Sequence, residues 1–416
     1  MSKIIINGGR PLSGSVRIQG AKNSVLPILA ATVLCADTCV IHDCPDLRDV
    51  NSSIKILECL GCKVKMEGNT VTVDAVNITN SVIPDDLMHQ MRSSITFLGA
   101  ITARCKSAGI SMPGGCELGP RPVDLHIKAL REMGVEIEDH AGHIAAKAGI
   151  IKGCEIHLEF PSVGATENVM LAAATAKGTT TITNAAKEPE IHDLQEFLCK
   201  MGADISGAGT DVIVIKGVEK LHGAEHRVIP DRIVASTYLC AAAMTGGSIE
   251  LENVVPSHIR AVTSILRDAG AAVYNKRKSM VLIAPKRIMP VDILRTMPYP
   301  GFPTDSQALV TAMLSVADGT SIVVENIFEN RFKHCDQLSR MGANIKVDGR
   351  VAVIRGVPRL SGTAVTAMEL RGGAALVIAG AAADGITEVS ATEHIDRGYE
   401  NMAADMAALG AEIRCI

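Results

Sequence analysis

The chain has 416 residues, of which 47% are hydrophobic and only 2% aromatic, with no tryptophan. Its net charge of −4 argues against a broad nucleic-acid-binding or anionic-membrane-binding surface. The length indicates two or three domains, and the scarcity of aromatic residues predicts cores of small aliphatic side chains between closely packed helices.

The N-terminus predicts a short strand and a turn rather than a secretory signal, because the isoleucine run at positions 4–6 is too short. The longest apolar stretch, residues 25–40, contains Asp37 and falls short of a membrane span. Among twelve cysteines, Cys59 and Cys62 form a C-x-x-C pair that has no second pair to complete a metal site. We therefore expect reduced thiols, no metal, no membrane segment and a cytoplasmic location.

A helix that ends at a glycine and runs into a strand recurs six times along the chain. Glycine after the last helical turn is the usual left-handed cap. The period of 68 to 73 residues is too long for a solenoid repeat. The six glycines are Gly61, Gly134, Gly202, Gly270, Gly342 and Gly410.

The segments between these glycines repeat a second pattern. Two short strands follow each glycine, as in residues 62–73 and 203–215, and then come a glycine turn and another strand. An alanine-rich first helix, a short strand such as residues 179–183, and a second helix complete the copy. Counted from the strand that precedes the first helix, each copy therefore predicts a β-α-β-α-β-β unit. Six such units predict an α/β fold.

The sixth copy stops at Ile416, before its final strand, and the N-terminus carries the missing piece. Residues 3–14 resemble residues 352–362, which include that strand and turn in the fifth copy. We therefore predict two domains of three copies each, 22–229 and 1–21 plus 230–416. The crossovers near 20–22 and 229–231 would act as a hinge that permits closure over ligands.

Charged residues recur where helices begin. If the copies are equivalent, these starts lie at one end of each domain and face one cleft, which suits a ligand with several phosphates or carboxylates. Considered without the repeat, a single Arg or Lys at a helix start is more often a solvated surface group. Asp305 could likewise simply cap its helix. The first helices begin near Lys22-Asn23, Arg92-Ser93, residues 164–166, Asp231-Arg232, Asp305-Ser306 and Arg371-Gly372, and three second helices begin with Arg121, Arg331 and Arg397.

One loop differs from its counterparts because it carries a thiol among glycines and prolines. Cys116 lies in Pro113-Gly-Gly-Cys116, and Gly119, Pro120 and Arg121 follow before a helix that we expect near Pro122. Glycines allow a loop to move and to approach a ligand closely. Although a lone cysteine is usually an ordinary thiol, this setting favours a chemical role.

These residues resemble a known family, the UDP-N-acetylglucosamine 1-carboxyvinyltransferases, along nearly the whole chain. The family's fold is two inside-out α/β barrels, each of three repeats, which agrees with the count above. The matching motifs are Gly20-Ala-Lys-Asn-Ser24, Pro113-Gly-Gly-Cys116, Arg121-Pro-Val-Asp-Leu-His126, Ser162-Val-Gly-Ala-Thr166, Phe302-Pro-Thr-Asp305, Phe328-Glu-Asn-Arg331 and His394-Ile-Asp-Arg-Gly-Tyr-Glu400.

The resemblance implies transfer of the enolpyruvyl group of phosphoenolpyruvate to the 3-hydroxyl of UDP-N-acetylglucosamine, the first committed step of peptidoglycan synthesis. Cys116 would be the proton donor and the target of the epoxide fosfomycin, Asp305 the base, and Lys22 and Arg397 further catalytic residues. Phosphoenolpyruvate would be bound by Lys22, Asn23, Arg121, Arg397, Arg371 and Arg331. UDP-N-acetylglucosamine would be bound by Arg92, Arg121, Pro122, Val123, Asp124, Leu125, Ser162, Val163, Gly164, Asp305 and Ile327. The resemblance implies no cofactor and no metal, and the sequence leaves the oligomeric state open.

Three positions depart from the family pattern. Phe160 stands where many members have lysine, and Thr96 where some have tryptophan, so one diphosphate contact and part of the nucleotide pocket are in doubt. Glu369 replaces a common aspartate and keeps the charge with a longer reach.

Two alternatives remain. The related 3-phosphoshikimate 1-carboxyvinyltransferases share the fold and the donor but lack the Pro-Gly-Gly-Cys loop and the Arg-Pro-Val-Asp-Leu segment. A catalytically weak paralogue that binds UDP-N-acetylglucosamine and regulates is disfavoured by the presence of Cys116, Asp305 and Arg397.

Overall fold

The computed structural model describes residues 2–112, 123–140 and 142–416. Within these ranges the α-helices are α1 (Lys22–Ala31), α2 (Arg48–Leu60), α3 (Asp85–Gln90), α4 (Phe97–Cys105), α5 (Asp124–Glu132), α6 (Val163–Ala173), α7 (Pro189–Lys200), α8 (Arg232–Thr245), α9 (Arg260–Asp268), α10 (Gln307–Leu314), α11 (Lys333–Arg340), α12 (Leu370–Ala382) and α13 (Met402–Ala408). Short 3-10 turns cover Thr32–Leu34, Arg92–Thr96, Pro256–Ile259, Thr304–Ser306 and Thr392–Arg397.

The β-strands are short, mostly three to five residues. They are β1 (Lys3–Asn7), β2 (Ser13–Arg17), β3 (Thr38–His42), β4 (Lys63–Glu67), β5 (Thr70–Asp74), β6 (Ser107–Ser111), β7 (Glu136–His140), β8 (His143–Lys147), β9 (Glu155–His157), β10 (Thr179–Thr183), β11 (Asp204–Ser206), β12 (Val212–Lys216), β13 (Glu225–Arg227), β14 (Ser248–Glu252), β15 (Ala272–Asn275), β16 (Ser279–Ile283), β17 (Ile293–Arg295), β18 (Thr320–Val324), β19 (Asn344–Asp348), β20 (Val351–Arg355), β21 (Ala364–Thr366), β22 (Ile386–Ser390) and β23 (Glu412–Cys415).

The described chain divides into two compact units. One comprises residues 2–19 and 230–416, and the other comprises residues 20–112, 123–140 and 142–229. Residues 20 and 21, which we had grouped with the N-terminus, join the second of these units. There the Ala21 N–H donates to the Ile229 carbonyl at 2.7 Å, and Gly20 lies directly against the backbone of Asp43.

Three sheets build the unit of residues 20–229, with strand orders β13-β3-β5-β4, β6-β8-β7 and β11-β12-β10-β9. In the four-stranded sheets a parallel pair, such as β9 and β10, continues into an antiparallel pair. In the three-stranded sheet an isolated parallel bridge between Val82 and Gly109 takes the place of the first strand.

Three further sheets build the other unit, with strand orders β15-β16-β14-β2, β17-β18-β20-β19 and β21-β22-β1-β23. β1 lies antiparallel between β22 and β23. The sixth copy therefore takes its final strand from the N-terminus. Likewise, the sheet of the fourth copy takes its first strand from β2, which pairs in parallel with β14.

Each unit has a core in which the first helices of its three copies pack together. α8 and α12 are buried along nearly their whole length, as expected for helices that are hydrophobic all round. The second helices instead have one buried and one polar face, as in α9. Helices inside and sheets outside form the inside-out α/β barrel, so the predicted fold and repeat are confirmed.

The six helix-ending glycines all adopt the left-handed conformation that the repeat predicts. Their φ angles lie between 84° and 101°, a region that costs a side chain strain but suits glycine. This turn redirects the chain from each second helix into the next strand.

The second helices begin later than we predicted in two copies. α11 begins at Lys333 and α13 at Met402, so Arg331 and Arg397 precede their helices. α13 begins late because the Asn401 side chain caps it by accepting from the Ala404 N–H at 2.9 Å. Throughout the described ranges, no helix has the length and apolarity needed to cross a membrane.

Candidate functional site

Lys22 begins α1 and forms a buried ion pair. Its Nζ lies 2.6 Å from Oδ2 of Asp49, in the first turn of α2, and both side chains are more than nine-tenths buried. A buried ammonium needs such a partner, because removing it from water costs several kcal/mol. Asn23 follows Lys22 on the same turn and is half-buried.

A buried asparagine on α6 connects this helix to a buried histidine near the start of α5 and to the turn before α4. Asn168 on α6 donates to Nδ1 of His126 at 2.7 Å and to the Ile95 carbonyl at 2.9 Å. Burial, with a smaller contribution from Arg92, lowers the pKa of His126 to about 4. The ring is therefore neutral at pH 7, with Nδ1 as acceptor.

The segment predicted to contact the sugar nucleotide packs against this histidine. Ser162 caps α6 by accepting from the Ala165 N–H at 3.3 Å, and Val163 is the first residue of that helix. A Cβ on Gly164 would lie 3.0 Å from Cε1 of His126, so this position favours glycine. Of the other predicted contacts, Val123 is buried, Asp124 is exposed and Leu125 is half-buried at the start of α5.

The two departures in this unit differ in their surroundings. Phe160 is 45% exposed and precedes the α6 cap. Thr96 is buried, and its hydroxyl donates to Oε2 of Glu167 at 3.4 Å. Burial, reinforced by the neighbouring Glu190, raises the pKa of Glu167 well above its usual range.

In the other unit, Asp305 forms an ion pair rather than a helix cap. Nη2 of Arg331 donates to Oδ1 of Asp305 at 2.8 Å. The Arg331 side chain is 2% exposed, whereas that of Asp305 is 31% exposed. α10 has no side-chain cap at its start. The carboxylate is therefore oriented by a buried cation and still accessible to a ligand.

Arg371 is buried at the start of α12. Burial opposes its charge, but Tyr399 and the carboxylates of Asp305 and Asp231 outweigh it and raise the pKa of the guanidinium. Asp305 and Asp231 lie at the starts of the other two first helices of this unit. The structure therefore brings the three helix starts of this unit together, as the repeat predicts.

Glu369 shapes the turn from which Arg371 projects. Its carboxylate accepts from the Arg371 N–H at 2.8 Å and from the Gly372 N–H. The departure from aspartate thus keeps a helix-capping role. Tyr399 contributes a hydroxyl 3.5 Å from Nη1 of Arg371.

Of the remaining predicted site residues, three lie in the described ranges and three lie outside them. Ile327 is half-buried in the loop after β18, and Arg397 is half-buried at the end of a 3-10 turn. Arg92 is half-buried at the start of the turn before α4. Cys116, Arg121 and Pro122 lie outside the described residues.

Sequence reasoning missed several residues that support these clusters. Asp49 could have been noticed as an acidic residue in the first turn of a second helix, and Glu325 as a charge directly after the apolar end of a strand. His126 and Tyr399 lie in the motifs that match the family, but the resemblance implied no role for them. In the described ranges, no group of three or more His, Cys, Asp or Glu side chains is arranged to hold a metal ion.

Comparison with known proteins identifies the class. The family model of EPSP synthase (3-phosphoshikimate 1-carboxyvinyltransferase) matches residues 6–406. The chain belongs to this family.

Curated relatives within the class are more specific. The chain is 55% identical to UDP-N-acetylglucosamine 1-carboxyvinyltransferase 2 of Caldanaerobacter subterraneus subsp. tengcongensis, with 99% of each chain covered. It is 50% identical to UDP-N-acetylglucosamine 1-carboxyvinyltransferase 1 of Carboxydothermus hydrogenoformans, with 100% of this chain and 98% of the relative covered.

Solved structures agree with this fold. The enolpyruvyl transferase NikO from Streptomyces tendae matches with a TM-score of 0.89 and 26% identity, covering 100% of this chain and 98% of that one. An EPSP synthase from Acinetobacter baumannii matches over the full length of both chains, with a TM-score of 0.77 and 18% identity, which supports the fold alone.

Proposed function

We propose that this enzyme transfers the enolpyruvyl group of phosphoenolpyruvate to the 3-hydroxyl of UDP-N-acetylglucosamine and releases phosphate. The observation that carries the proposal is full-length identity of about half or more to relatives named for this reaction. The product is the first committed precursor of peptidoglycan. The reaction takes place in the cytoplasm, where both substrates are available, and it involves neither a membrane nor a nucleic acid.

Asp305 serves as the general base in this proposal. Its half-exposed carboxylate can accept the proton of a sugar hydroxyl, while Arg331 keeps it oriented. Arg331, Arg371 and Arg397 add positive charge for the phosphate and carboxylate of phosphoenolpyruvate.

In the unit of residues 20–229, Lys22, Asn23 and Arg121 are phosphoenolpyruvate ligands. The ion pair with Asp49 holds the Lys22 ammonium in position. Arg92, the residues 121–125, and Ser162, Val163 and Gly164 bind UDP-N-acetylglucosamine. Cys116 is the proton donor.

The chemistry proceeds by addition and elimination. The 3-hydroxyl oxygen bonds to C2 of phosphoenolpyruvate as its proton passes to Asp305, and C3 takes a proton from Cys116. The tetrahedral intermediate then loses a proton from C3 and its phosphate, which restores the double bond. Both steps place negative charge near the arginines, which is why several fixed cations accelerate the reaction.

A single assay tests this function. The purified enzyme is incubated with phosphoenolpyruvate and either UDP-N-acetylglucosamine or shikimate 3-phosphate, and phosphate release and product mass are measured. We expect turnover with UDP-N-acetylglucosamine as acceptor but not with shikimate 3-phosphate, and a heavier UDP-sugar as product. We also expect fosfomycin to inhibit the enzyme and to add the mass of fosfomycin at Cys116. Turnover with shikimate 3-phosphate alone would support the alternative acceptor, and binding of the UDP-sugar without turnover would support a regulatory paralogue.

A further inference from the structure

Glu325 is a fully buried carboxylate to which the site described above assigns no role. It directly follows β18 and has no exposed surface. A carboxylate in this environment requires several hydrogen-bond donors, because burial of an unsatisfied charge is costly. The identity and origin of those donors indicate what the residue does.

Two of the donors are local. Oε1 of Glu325 accepts from the N–H groups of Ile327 at 2.8 Å and Phe328 at 3.1 Å. These bonds shape the loop that follows β18, which carries Ile327 and ends at Arg331. Taken alone, they describe a side chain that stabilises its own turn.

The other two donors come from distant parts of the chain. The Thr296 hydroxyl donates to Oε1 at 2.8 Å, and the Thr304 hydroxyl donates to Oε2 at 2.9 Å. Thr296 also accepts from the Asn326 N–H at 2.8 Å, so its hydroxyl proton is directed to Glu325. Thr304 immediately precedes Asp305 in a 3-10 turn. Glu325 therefore connects the loop after β18 to the backbone turn of the proposed base.

The loop of residues 325–331 thus contacts this turn at two points. At one end, Glu325 accepts from Thr304; at the other, Arg331 donates to the Asp305 carboxylate at 2.8 Å. With one contact to the carboxylate and one to the adjacent residue, both the direction and the position of Asp305 are set. The cation alone contacts only the carboxylate of this turn.

We propose that Glu325 is a positioning residue for the reaction, which holds the Asp305 turn through Thr304 while it shapes the loop that carries Ile327 and Arg331. This inference rests on the proposed function, because it takes Asp305 as the base. A base must lie within hydrogen-bond reach of the hydroxyl it deprotonates, and a displacement of about 1 Å can cost about 100-fold in rate.

The test removes the connecting hydroxyl alone. Thr304→Val keeps the size of the side chain but cannot donate to Glu325, whereas Thr304→Ser restores the donor. We expect Thr304→Val to lower kcat by about 10- to 100-fold with both KM values within about twofold of wild type, and Thr304→Ser to restore kcat to within about twofold.

A matched control separates positioning from loss of stability. Thr311→Val also removes a buried hydroxyl, which accepts from Gln307 on α10, but this hydroxyl does not bond to residues 304–306. We expect it to lower the melting temperature as Thr304→Val does while leaving kcat within about twofold. Equal losses of kcat in the two variants would show that Thr304→Val acts only by lowering stability, which would overturn the proposal.

A double-mutant cycle tests the route through Asp305. If Thr304 acts only by placing that carboxylate, Thr304→Val should lower the residual kcat of Asp305→Ala by less than about twofold. The same 10- to 100-fold loss in both backgrounds would overturn the proposal. Absence of turnover in the wild-type enzyme itself would instead refute the proposed function, and with it this inference.

Glu325→Gln keeps an oxygen for the local donors and a polar group opposite Thr304, so we expect it to fold and to retain more kcat than Thr304→Val.

Discussion

At the scale of single residues, each unit contains a buried cation that is paired with a carboxylate. Lys22 pairs with Asp49 and Arg331 with Asp305, and in each pair the cation is more than nine-tenths buried. Pairing makes burial of such a cation possible, and it also fixes the direction in which the charge points.

Asp49→Asn tests this arrangement. It leaves the Lys22 ammonium buried beside a neutral amide, so we expect the free energy of unfolding to fall by about 3 kcal/mol and the KM for phosphoenolpyruvate to rise. Urea denaturation and steady-state kinetics measure the two effects.

The control for Asp49→Asn breaks a surface pair. Glu67→Gln removes the partner of Lys65, and both side chains there are more than two-thirds exposed. Exposed pairs contribute about 0–1 kcal/mol, so this variant should match wild type. Similar stability losses in the two variants would show that burial of Lys22 is not what matters.

At the scale of secondary-structure elements, a second network joins the start of α1 to the end of its unit. Asp193 on α7 accepts from the Ser24 hydroxyl, from Nε2 of His226 at 2.9 Å and from the Ile229 N–H at 3.2 Å. Lys200 donates to Nδ1 of His226 at 3.0 Å, which leaves Nε2 to donate to Asp193. One carboxylate thus holds the turn that carries Lys22 and the segment that leaves the unit.

Asp193→Ala should loosen both segments together. It leaves several buried donors without an acceptor, so we expect a loss of about 3 kcal/mol in the free energy of unfolding. Amide hydrogen exchange at Ile229 should accelerate beyond the global effect. Glu196→Ala on the exposed face of α7 is the control, and an unchanged exchange rate at Ile229 in Asp193→Ala would contradict the assignment.

The helix-ending glycines make a separate prediction about backbone strain. Gly342 has a φ of 92°, and a Cβ placed there would meet no atom within 4 Å. Gly342→Ala should therefore cost about 1–2 kcal/mol through the left-handed conformation alone. Gly342→Asn should cost less, because asparagine tolerates this region better.

Gly149→Ala is the matched control for backbone strain. Gly149 also has open space around its Cβ position, but its φ lies outside the left-handed region. We expect thermal unfolding of this variant to resemble that of wild type. A cost equal to that of Gly342→Ala would rule out strain as the cause.

At the scale of the whole molecule, each unit contains a buried neutral histidine. Burial lowers the pKa of His126 to about 4, with Arg92 contributing, and burial likewise lowers the pKa of His334 to about 4. In the unfolded chain each would titrate near 6.5. Between pH 6.5 and 4 the unfolded state therefore binds more protons than the folded state, so the stability of each unit falls as the pH is lowered through this window.

Each histidine should cost about 3 kcal/mol of stability once the pH is below 4, since one pKa unit corresponds to 1.36 kcal/mol. His126→Gln and His334→Gln remove one titrating group each and should flatten the pH dependence over this range. Urea midpoints measured from pH 7 to pH 4 test this expectation. An unchanged slope in both variants would mean that other groups control the acid response.

The repeat, the class of fold and the approximate starts of the first helices follow from the amino-acid sequence. These properties are local: a glycine requires a left-handed turn, an apolar helix requires a core, and a motif such as Phe302-Pro-Thr-Asp305 marks a turn. The roles assigned to the site residues stay predictions, and the distant groups that pair with these residues are seen only in the folded chain. Asp49 pairs with Lys22, and Glu325 accepts from Thr304 in the Asp305 turn. In both pairs the partners are more than 20 residues apart in the chain, and neither pairing follows from the periodicity of the sequence. The place of β1 in the sixth copy was predicted from its likeness to residues 352–362, whereas the pairing of β2 with β14 in the fourth copy was not predicted. Local conformation is encoded by neighbouring residues, whereas pairing across the fold depends on which buried groups would otherwise lack a partner.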